Sequence, residues 1–428
     1  MALNLFFLLF HPPLNYNPME NAVFYAIPFF LLFIVLEFVV GWWKKKPYYS
    51  LRDTITKISI GIGNQALGVF FTFFLIGIYL WFYETFGFFS EWLTPSVLNF
   101  VVCVVAFDFL YYWAHRFSHE WNFLWAAHVV HHSSEEYNLS VALRQSWFHN
   151  LLAFFIFLPL PILGFDPKIF FAAGGVVTIY QFWIHTKSID RMPQWFEFIF
   201  NSPSHHRVHH GVNPKYIDKN HAAIFILWDR MFGTFQEEEE MPTFGITTPI
   251  KSWNPAWANF HYWAEMYQLM KQCSSWKDKF RVLFARPGWR PEELGGYQAP
   301  PAIDHNSYEK FDTHPEEKLQ LYAVLQFLIV MIGILVFLGN FYRISEFYRY
   351  FFLSNILLTI LICGALLEQK KWVIIAEYVR LALVLVSLNT FYYFWFLDWF
   401  SIMIATSLFL GMLSMIYFTR TWRQLEMA

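Results

Sequence analysis

Long apolar runs separated by short polar stretches dominate the chain. About 20 consecutive apolar residues suffice for a helix to cross the hydrocarbon of a bilayer. Runs of that order occupy residues 21–42, 62–83, 95–113, 320–342, 350–367, 372–395 and 396–418. A further apolar stretch, 148–185, is interrupted by Pro159, Pro161 and the turn sequence of Gly164 to Pro167. Because proline removes a backbone donor and breaks a helix, this stretch predicts two helices that dip into the bilayer and return. The pattern predicts an all-α, multi-pass transmembrane protein. It divides into N-terminal membrane helices (1–95), a middle domain (96–240), a polar and interfacial segment (241–319) and C-terminal membrane helices (320–428). The N-terminal LNLFFLLF has no basic flank and is not read as a signal peptide.

The polar stretches set an orientation. Lys44, Lys45, Lys46, Arg52 and Lys57 follow the first run, Lys370 and Lys371 lie between two C-terminal runs, and Arg420 and Arg423 follow the last. The positive-inside rule then puts the N-terminus outside. Residues 44–60, 114–147, 186–318 and the C-terminal tail face the cytosol, with Arg343 and Arg349 running against the rule. Within the apolar runs, Glu377 and Arg380 are three apart, so they share a helix face and pair. Glu37 is read as lying near the interface. Residues 255–284 mix aromatic residues with lysine and predict a helix lying in the interface.

Composition agrees with the pattern and adds one anomaly. Hydrophobic residues make up 57% of the 428 and charged residues 14%, with a net charge of -2. That is too apolar for an ordinary soluble domain and leaves no basic footprint for nucleic acid. Three scattered cysteines form neither a disulfide framework nor a thiolate zinc site. Histidine is the unusual component, since twelve of the 16 lie between His115 and His221.

Those histidines are spaced for metal binding. His115 and His119 are four apart, and His128-Val-Val-His131-His132 and His205-His206-Arg-Val-His209-His210 repeat the three- and four-residue spacings of one helix face. His185 stands alone. Eight or more imidazoles are too many for one tetrahedral ion, so two metals are expected, held mainly by neutral imidazole. Asp108, Tyr112, His115 and His119 form one helical stripe. Asp108, Glu120, Glu135 and Glu136 are expected to accept from ring N–H groups. His11, His149, His261, His305 and His314 are read as structural. Zinc would point to hydrolysis or to a structural site, and iron to dioxygen chemistry. A site where apolar spans meet the cytosol suits a substrate with a polar head and a long apolar tail.

HRFSH, HVVHH and HRVHH resemble the three histidine boxes of the fatty acid hydroxylase and sterol desaturase superfamily of membrane di-iron oxygenases, and WDRMFGTF resembles the segment that closes their domain. FDFLYYWAHRFSHE, HHSSEEYNLSVALRQS, YQFWIHT and NSPSHHRVHHGVNPKYIDKN resemble, more narrowly, the alkylglycerol monooxygenase family. That resemblance implies hydroxylation of the ether-linked alkyl carbon of a glyceryl ether, with two irons, dioxygen and tetrahydrobiopterin as electron donor. The membrane would be the endoplasmic reticulum of a eukaryote or the cytoplasmic membrane of a bacterium. It implies His115, His119, His128, His131, His132, His185, His205, His206, His209 and His210 as metal ligands, with His206, His209 and His210 as the metal-facing triple of the last box. Glu120, beside Asp108 in a catalytic role, matches the acidic residue after the first box. Some relatives carry a further histidine where this chain has Gln181. His221 replaces an aromatic residue and is read as a supporting group or bystander. Tyr137, Asn138, Arg144 and Gln145 are read as pocket residues. A sterol or fatty acyl hydroxylase or desaturase with another electron donor, or a non-catalytic protein with structural zinc, remain as alternatives.

Overall fold

The computed structural model describes residues 22–303 and 308–427. His11, His305 and the LNLFFLLF stretch lie outside the described residues. Among the described residues there is no strand, only two isolated backbone bridges. The helices are α1 (Ala22–Trp43), α2 (Leu51–Thr85), α3 (Val97–Glu120), α4 (Asn122–His132), α5 (His149–Ala153), α6 (Pro159–Leu163), α7 (Pro167–Trp183), α8 (Gln194–Ile199), α9 (Pro203–His209) and α10 (Leu227–Phe232). After these come α11 (Pro255–Gln272), α12 (Trp276–Phe284), α13 (Glu317–Asn340), α14 (Glu346–Leu367), α15 (Val373–Trp395) and α16 (Phe400–Met427).

Seven of these helices, α1 to α3 and α13 to α16, are long and apolar enough to cross a membrane. Two of them overrun the expected spans for a simple reason. At about 1.5 Å per residue, the 35 residues of α2 reach about 52 Å, well beyond the roughly 30 Å of hydrocarbon. Its first turns therefore project from the bilayer, carrying Asp53 and Lys57 as a buried ion pair 2.6 Å apart. In the same way α3 continues past its apolar half to Glu120, which brings His115 and His119 to the membrane edge. Ser96 starts α3 by accepting the Asn99 N–H at 3.1 Å.

The expected hairpin has an irregular first arm. Its short pieces are α5, a 3₁₀ turn at Phe154–Phe157, and α6. Pro159 and Pro161 deny the ladder two donors, so no single helix forms there. The left-handed Gly164 (φ 102°) then turns the chain, and a Cβ at that position would strike the Ser90 nitrogen at 2.5 Å. The second arm, α7, is 17 residues, or about 26 Å, too short to span.

Two apolar cores frame the middle of the chain. One joins the projecting half of α2 to α13 and α14 through Trp147 and Trp253. The other packs the far half of α2 against α3, the hairpin and α7. The C-terminal bundle also buries the expected pair: Arg380 and Glu377 bond at 2.6 Å, both with fully buried side chains. Tyr322 donates to Glu377, and Arg380 also donates to Gln326 at 2.7 Å.

Candidate metal centre

The fold gathers nine histidines into two groups. His115, His119, His128, His132 and His209 form one, and His131, His185, His206 and His210 the other, with the ligand atoms of each group within 4.8 Å of one another. Helical phase explains the partition. Residues four apart on a helix differ by about 40°, whereas neighbours differ by about 100°. On α4, His128 and His132 therefore share the five-membered group, and His131 turns to the four-membered one. At the end of α9 the pattern is mirrored, with His206 and His210 in the smaller group and His209 in the larger. Each His-x-x-His-His sequence thus serves both groups, so the expected triple of the last box is divided. The groups abut, with the His132 and His210 rings stacked at 4.4 Å.

Backbone carbonyls orient the rings. His115 Nδ1 donates to the His221 carbonyl at 2.7 Å, His209 Nδ1 to Lys219 at 2.8 Å, His185 Nδ1 to Gln181 at 2.7 Å, and His131 Nδ1 to Arg144 at 3.2 Å. His119 Nδ1 faces Asp218 Oδ1 at 3.3 Å. A ring that spends its N–H in this way leaves Nε2 with a bare lone pair. The segment 218–221 supports three rings of the larger group. Asp218 and Asn220 adopt the left-handed conformation (φ 56° and 55°), which aspartate and asparagine tolerate best among non-glycine residues. The Asn220 side chain is tied to His205 and Gln236.

The Nε2 atoms converge. Nε2 atoms lie 2.9 Å apart for His115 and His128, 3.1 Å for His128 and His132, 3.2 Å for His131 and His185, 2.9 Å for His185 and His206, and 3.2 Å for His206 and His210. His131 and His185 both spend their N–H on a carbonyl, so their Nε2 lone pairs face one another, and lone pairs at that distance repel unless a cation draws them together. Two nitrogens about 2.1 Å from one ion lie about 3.0 Å apart at right angles and about 3.4 Å apart in a tetrahedron. The observed spacings of 2.9 to 3.2 Å run from the right-angle value to midway toward the tetrahedral one, and the five donors of the larger group exceed a tetrahedral set.

Burial, and then the neighbouring imidazoles, push His131, His132, His206, His209 and His210 well below the usual histidine range. These rings stay neutral in the fold but accept protons once it opens. Their contribution to stability is therefore complete above pH 6.5 and is lost as pH falls through that value, at about 1.4 kcal/mol per pH unit for each histidine. Thermal unfolding of chelator-stripped protein should show a midpoint dropping steeply below about pH 6.5. A flat profile down to about pH 5 would contradict neutral, buried imidazoles.

A carboxylate from the first membrane helix braces the smaller group. Glu37 is 5% exposed and accepts from Tyr49, Thr186, Ser188 (3.2 Å) and the Leu139 N–H (2.8 Å). Thr186 follows His185, and Leu139 follows the second box. The buried Arg207 guanidinium holds the same loop, donating to the carbonyls of Thr186, Ile189 and Asp190 and to both Glu238 oxygens. Glu37→Ala orphans four donors, and support losses of this kind cost about 10- to 100-fold in metal affinity. The expected result is selective loss of the metal held by the smaller group, measured by metal content per chain. Two metals retained at wild-type affinity would count against this role.

Other expected residues have different settings. Asp108 is fully buried, and its carboxylate accepts from the Ile224 N–H (2.8 Å), the Phe225 N–H (3.1 Å) and Trp228 Nε1 (2.9 Å). It anchors the segment that follows the last box. Glu120 bonds Arg116 at 3.1 Å, faces Arg286 at 3.5 Å, and lies in neither group. Glu135 accepts from the Phe311 N–H, and Glu136 from Lys310. None of these four carboxylates accepts from a ring in the two groups, because carbonyls and Asp218 take that part. His205 lies outside both groups, its ring 5.4 Å from Phe235. His221 stands beside the larger group, 5.0 Å from the His119 ring, and contributes its carbonyl. Tyr137 stacks on Phe244, Asn138 accepts from Lys57, and Gln145 donates to Ala142. Arg144 donates to Val130 and Ser133 and lines a cavity of about 240 Å³. His149, read as structural, lies close to the larger group, with its ring 4.9 Å from His128 and its Nε2 3.0 Å from Ser118. Glu37, Asp218 and Arg207 were not singled out as site residues by spacing.

The fatty acid hydroxylase family profile matches residues 100–234. The chain is 35% identical to alkylglycerol monooxygenase from Homo sapiens over 359 residues, covering 83% of this chain and 80% of that protein. It is 35% identical to the Danio rerio alkylglycerol monooxygenase, over 84% of this chain and 80% of that protein. A lathosterol oxidase from Rattus norvegicus is 26% identical over 36% of this chain and 52% of that protein. No solved structure matches the chain.

Proposed function

The chain belongs to the alkylglycerol monooxygenase family, and on that footing we propose that it hydroxylates the ether-linked alkyl carbon of a glyceryl ether lipid. One oxygen atom of O₂ enters the C–H bond beside the ether oxygen, and the other leaves as water. Two electrons and two protons come from tetrahydrobiopterin. The hemiacetal then breaks to a fatty aldehyde and a free glycerol hydroxyl.

The convergence of imidazole nitrogens in two abutting groups carries this reading. These imidazoles would hold iron, which would supply the change of oxidation state that dioxygen chemistry needs and that zinc lacks. The five donors of the larger group favour an ion of higher coordination there than tetrahedral structural zinc. The residues of the chain set the stage. His119, His128 and His209 keep their basic nitrogens turned inward. The loop at 218–221 fixes the tautomers of His115 and His209 through its carbonyls. Burial keeps the rings neutral and ready to bind. The site faces the cytosol by the placement of lysine and arginine in the loops.

Purified protein should hold two irons per chain and release aldehyde from an alkylglycerol only when tetrahydrobiopterin is supplied. Turnover driven by a ferredoxin or cytochrome without pterin would overturn the donor assignment. Tightly held zinc with no oxygen consumption would overturn the oxygenase itself.

A further inference from the structure

Helix α12 presents a bare aromatic row. Trp276, Phe280 and Phe284 follow at four-residue intervals on one face, exposed by 83%, 65% and 45%. The other side of the helix is fixed. Val282 is fully buried with Ala126, Met266 and Cys273, and its carbonyl accepts from Asn122 at 2.9 Å. The row is therefore held outward by a rigid mount. An uncovered apolar patch of this kind marks a contact surface.

The row continues onto the membrane part of the fold. The Phe284 ring lies 5.2 Å from Phe123 and 6.4 Å from Trp121. Trp121 in turn lies parallel to Phe155 in the proline-broken hairpin, at 6.4 Å. The surrounding charge matches a lipid surface as well. Between Lys271 and Arg290 there are six lysines and arginines against one acid, Asp278. Aromatic rings flanked by cations are the composition of a helix lying in the interface, where the cations meet lipid phosphate. Behind the row opens a cavity of about 470 Å³ lined by Glu120, Trp121, Arg281, Arg286, Trp289 and Tyr297. Glu120 directly follows His119 of the five-imidazole group. On the inner side of the hairpin, His149 stands against His128 of that group.

We propose that the aromatic face of α12 lies in the membrane–water boundary and that the cavity behind it is the doorway for the lipid substrate. Arg281, Arg286 and Glu120 receive an oxygen-rich polar head. Trp121 and Phe155 lead the alkyl chain toward the larger histidine group. The assignment of the doorway rests on the lipid-substrate reading above, whereas contact with the bilayer rests on the exposed row itself.

The test uses the full chain in phospholipid nanodiscs. The native cysteines Cys103, Cys273 and Cys363 are buried, so a nitroxide can be placed selectively on Phe280→Cys or, as a solvent-facing control in the acidic run, on the exposed Glu239→Cys. The label at 280 should collide with lipid-dissolved oxygen and be shielded from a water-soluble nickel complex, and the label at 239 should do the reverse. Equal nickel access at both positions overturns the membrane contact. In the kinetic arm, Phe280→Asp should raise KM for a vesicle-borne alkylglycerol about tenfold or more. Its kcat should stay within about twofold, with both metals retained, because the site itself is untouched. A short-chain, water-soluble alkylglycerol should be turned over as by wild type. A fall in kcat with KM unchanged, or no change in either, overturns the doorway. If wild type turns over no glyceryl ether at all, the functional reading fails, while the nitroxide result still decides where α12 lies.

Discussion

His206→Ala is expected to insert normally, to hold one metal ion in place of two, and to lose activity by roughly 10³-fold or more, the scale seen when one member of a unit-acting catalytic set is removed. His206 sits at the centre of the smaller group, with its Nε2 2.9 Å from that of His185 and 3.2 Å from that of His210. Its removal leaves three donors. It lies outside the seven candidate spans, so yield in the membrane fraction should not change. The adjacent His205→Ala is the control, since that ring lies outside both groups. It should keep both metals and most of the activity. The five-member group offers a graded comparison: His119→Ala leaves four donors and should lower metal affinity less than His206→Ala does. Metal content per chain and aldehyde release check all three variants. Full turnover by His206→Ala would show that the smaller group holds no catalytic metal.

Arg380→Ala should destabilise the C-terminal bundle by about 3–5 kcal/mol, the usual cost of leaving one member of a buried ion pair unpaired. Glu377 would then sit fully buried with only Tyr322 as partner. The pair is not expected to be a large net source of stability. A double replacement, Glu377→Leu with Arg380→Met, should come within about 1 kcal/mol of wild type or exceed it, because well-packed apolar residues often match a buried pair. Unfolding of the purified protein in detergent measures both. A single variant as stable as wild type would mean that Glu377 is hydrated, not buried.

Much of this was legible from spacing because α-helices repeat. The seven spans follow from run length, and the pairing of Glu377 with Arg380 from a three-residue interval. The division of His-x-x-His-His between two groups follows from helical phase, although spacing alone could not say that both groups would use both motifs. Other parts left no mark that spacing could read. The acceptors for the ring N–H groups are mostly carbonyls, at Arg144, Gln181, Lys219 and His221, and a carbonyl belongs to every residue type. Expecting side-chain carboxylates there pointed to Asp108, Glu120, Glu135 and Glu136, which bond elsewhere. Asp218 and Asn220 looked like ordinary loop residues until their left-handed backbone showed how the 218–221 segment turns its carbonyls inward. His149 looked structural because its nearest histidine in sequence is 17 residues away, yet the hairpin folds it against His128.

Glu37 looked like a stray charge at the end of an apolar run, since its partners lie 12, 102 and 149 residues away. That long reach ties biogenesis to chemistry. The helix that carries Glu37 leaves the ribosome well before His185 and His206. It must wait in the bilayer until the loops after the second box and after His185 arrive to close on its carboxylate. Closure of the smaller histidine group is therefore a late event governed by how the first helix is seated. A misinserted first helix would yield a protein that is abundant and membrane-bound but whose smaller histidine group stays open.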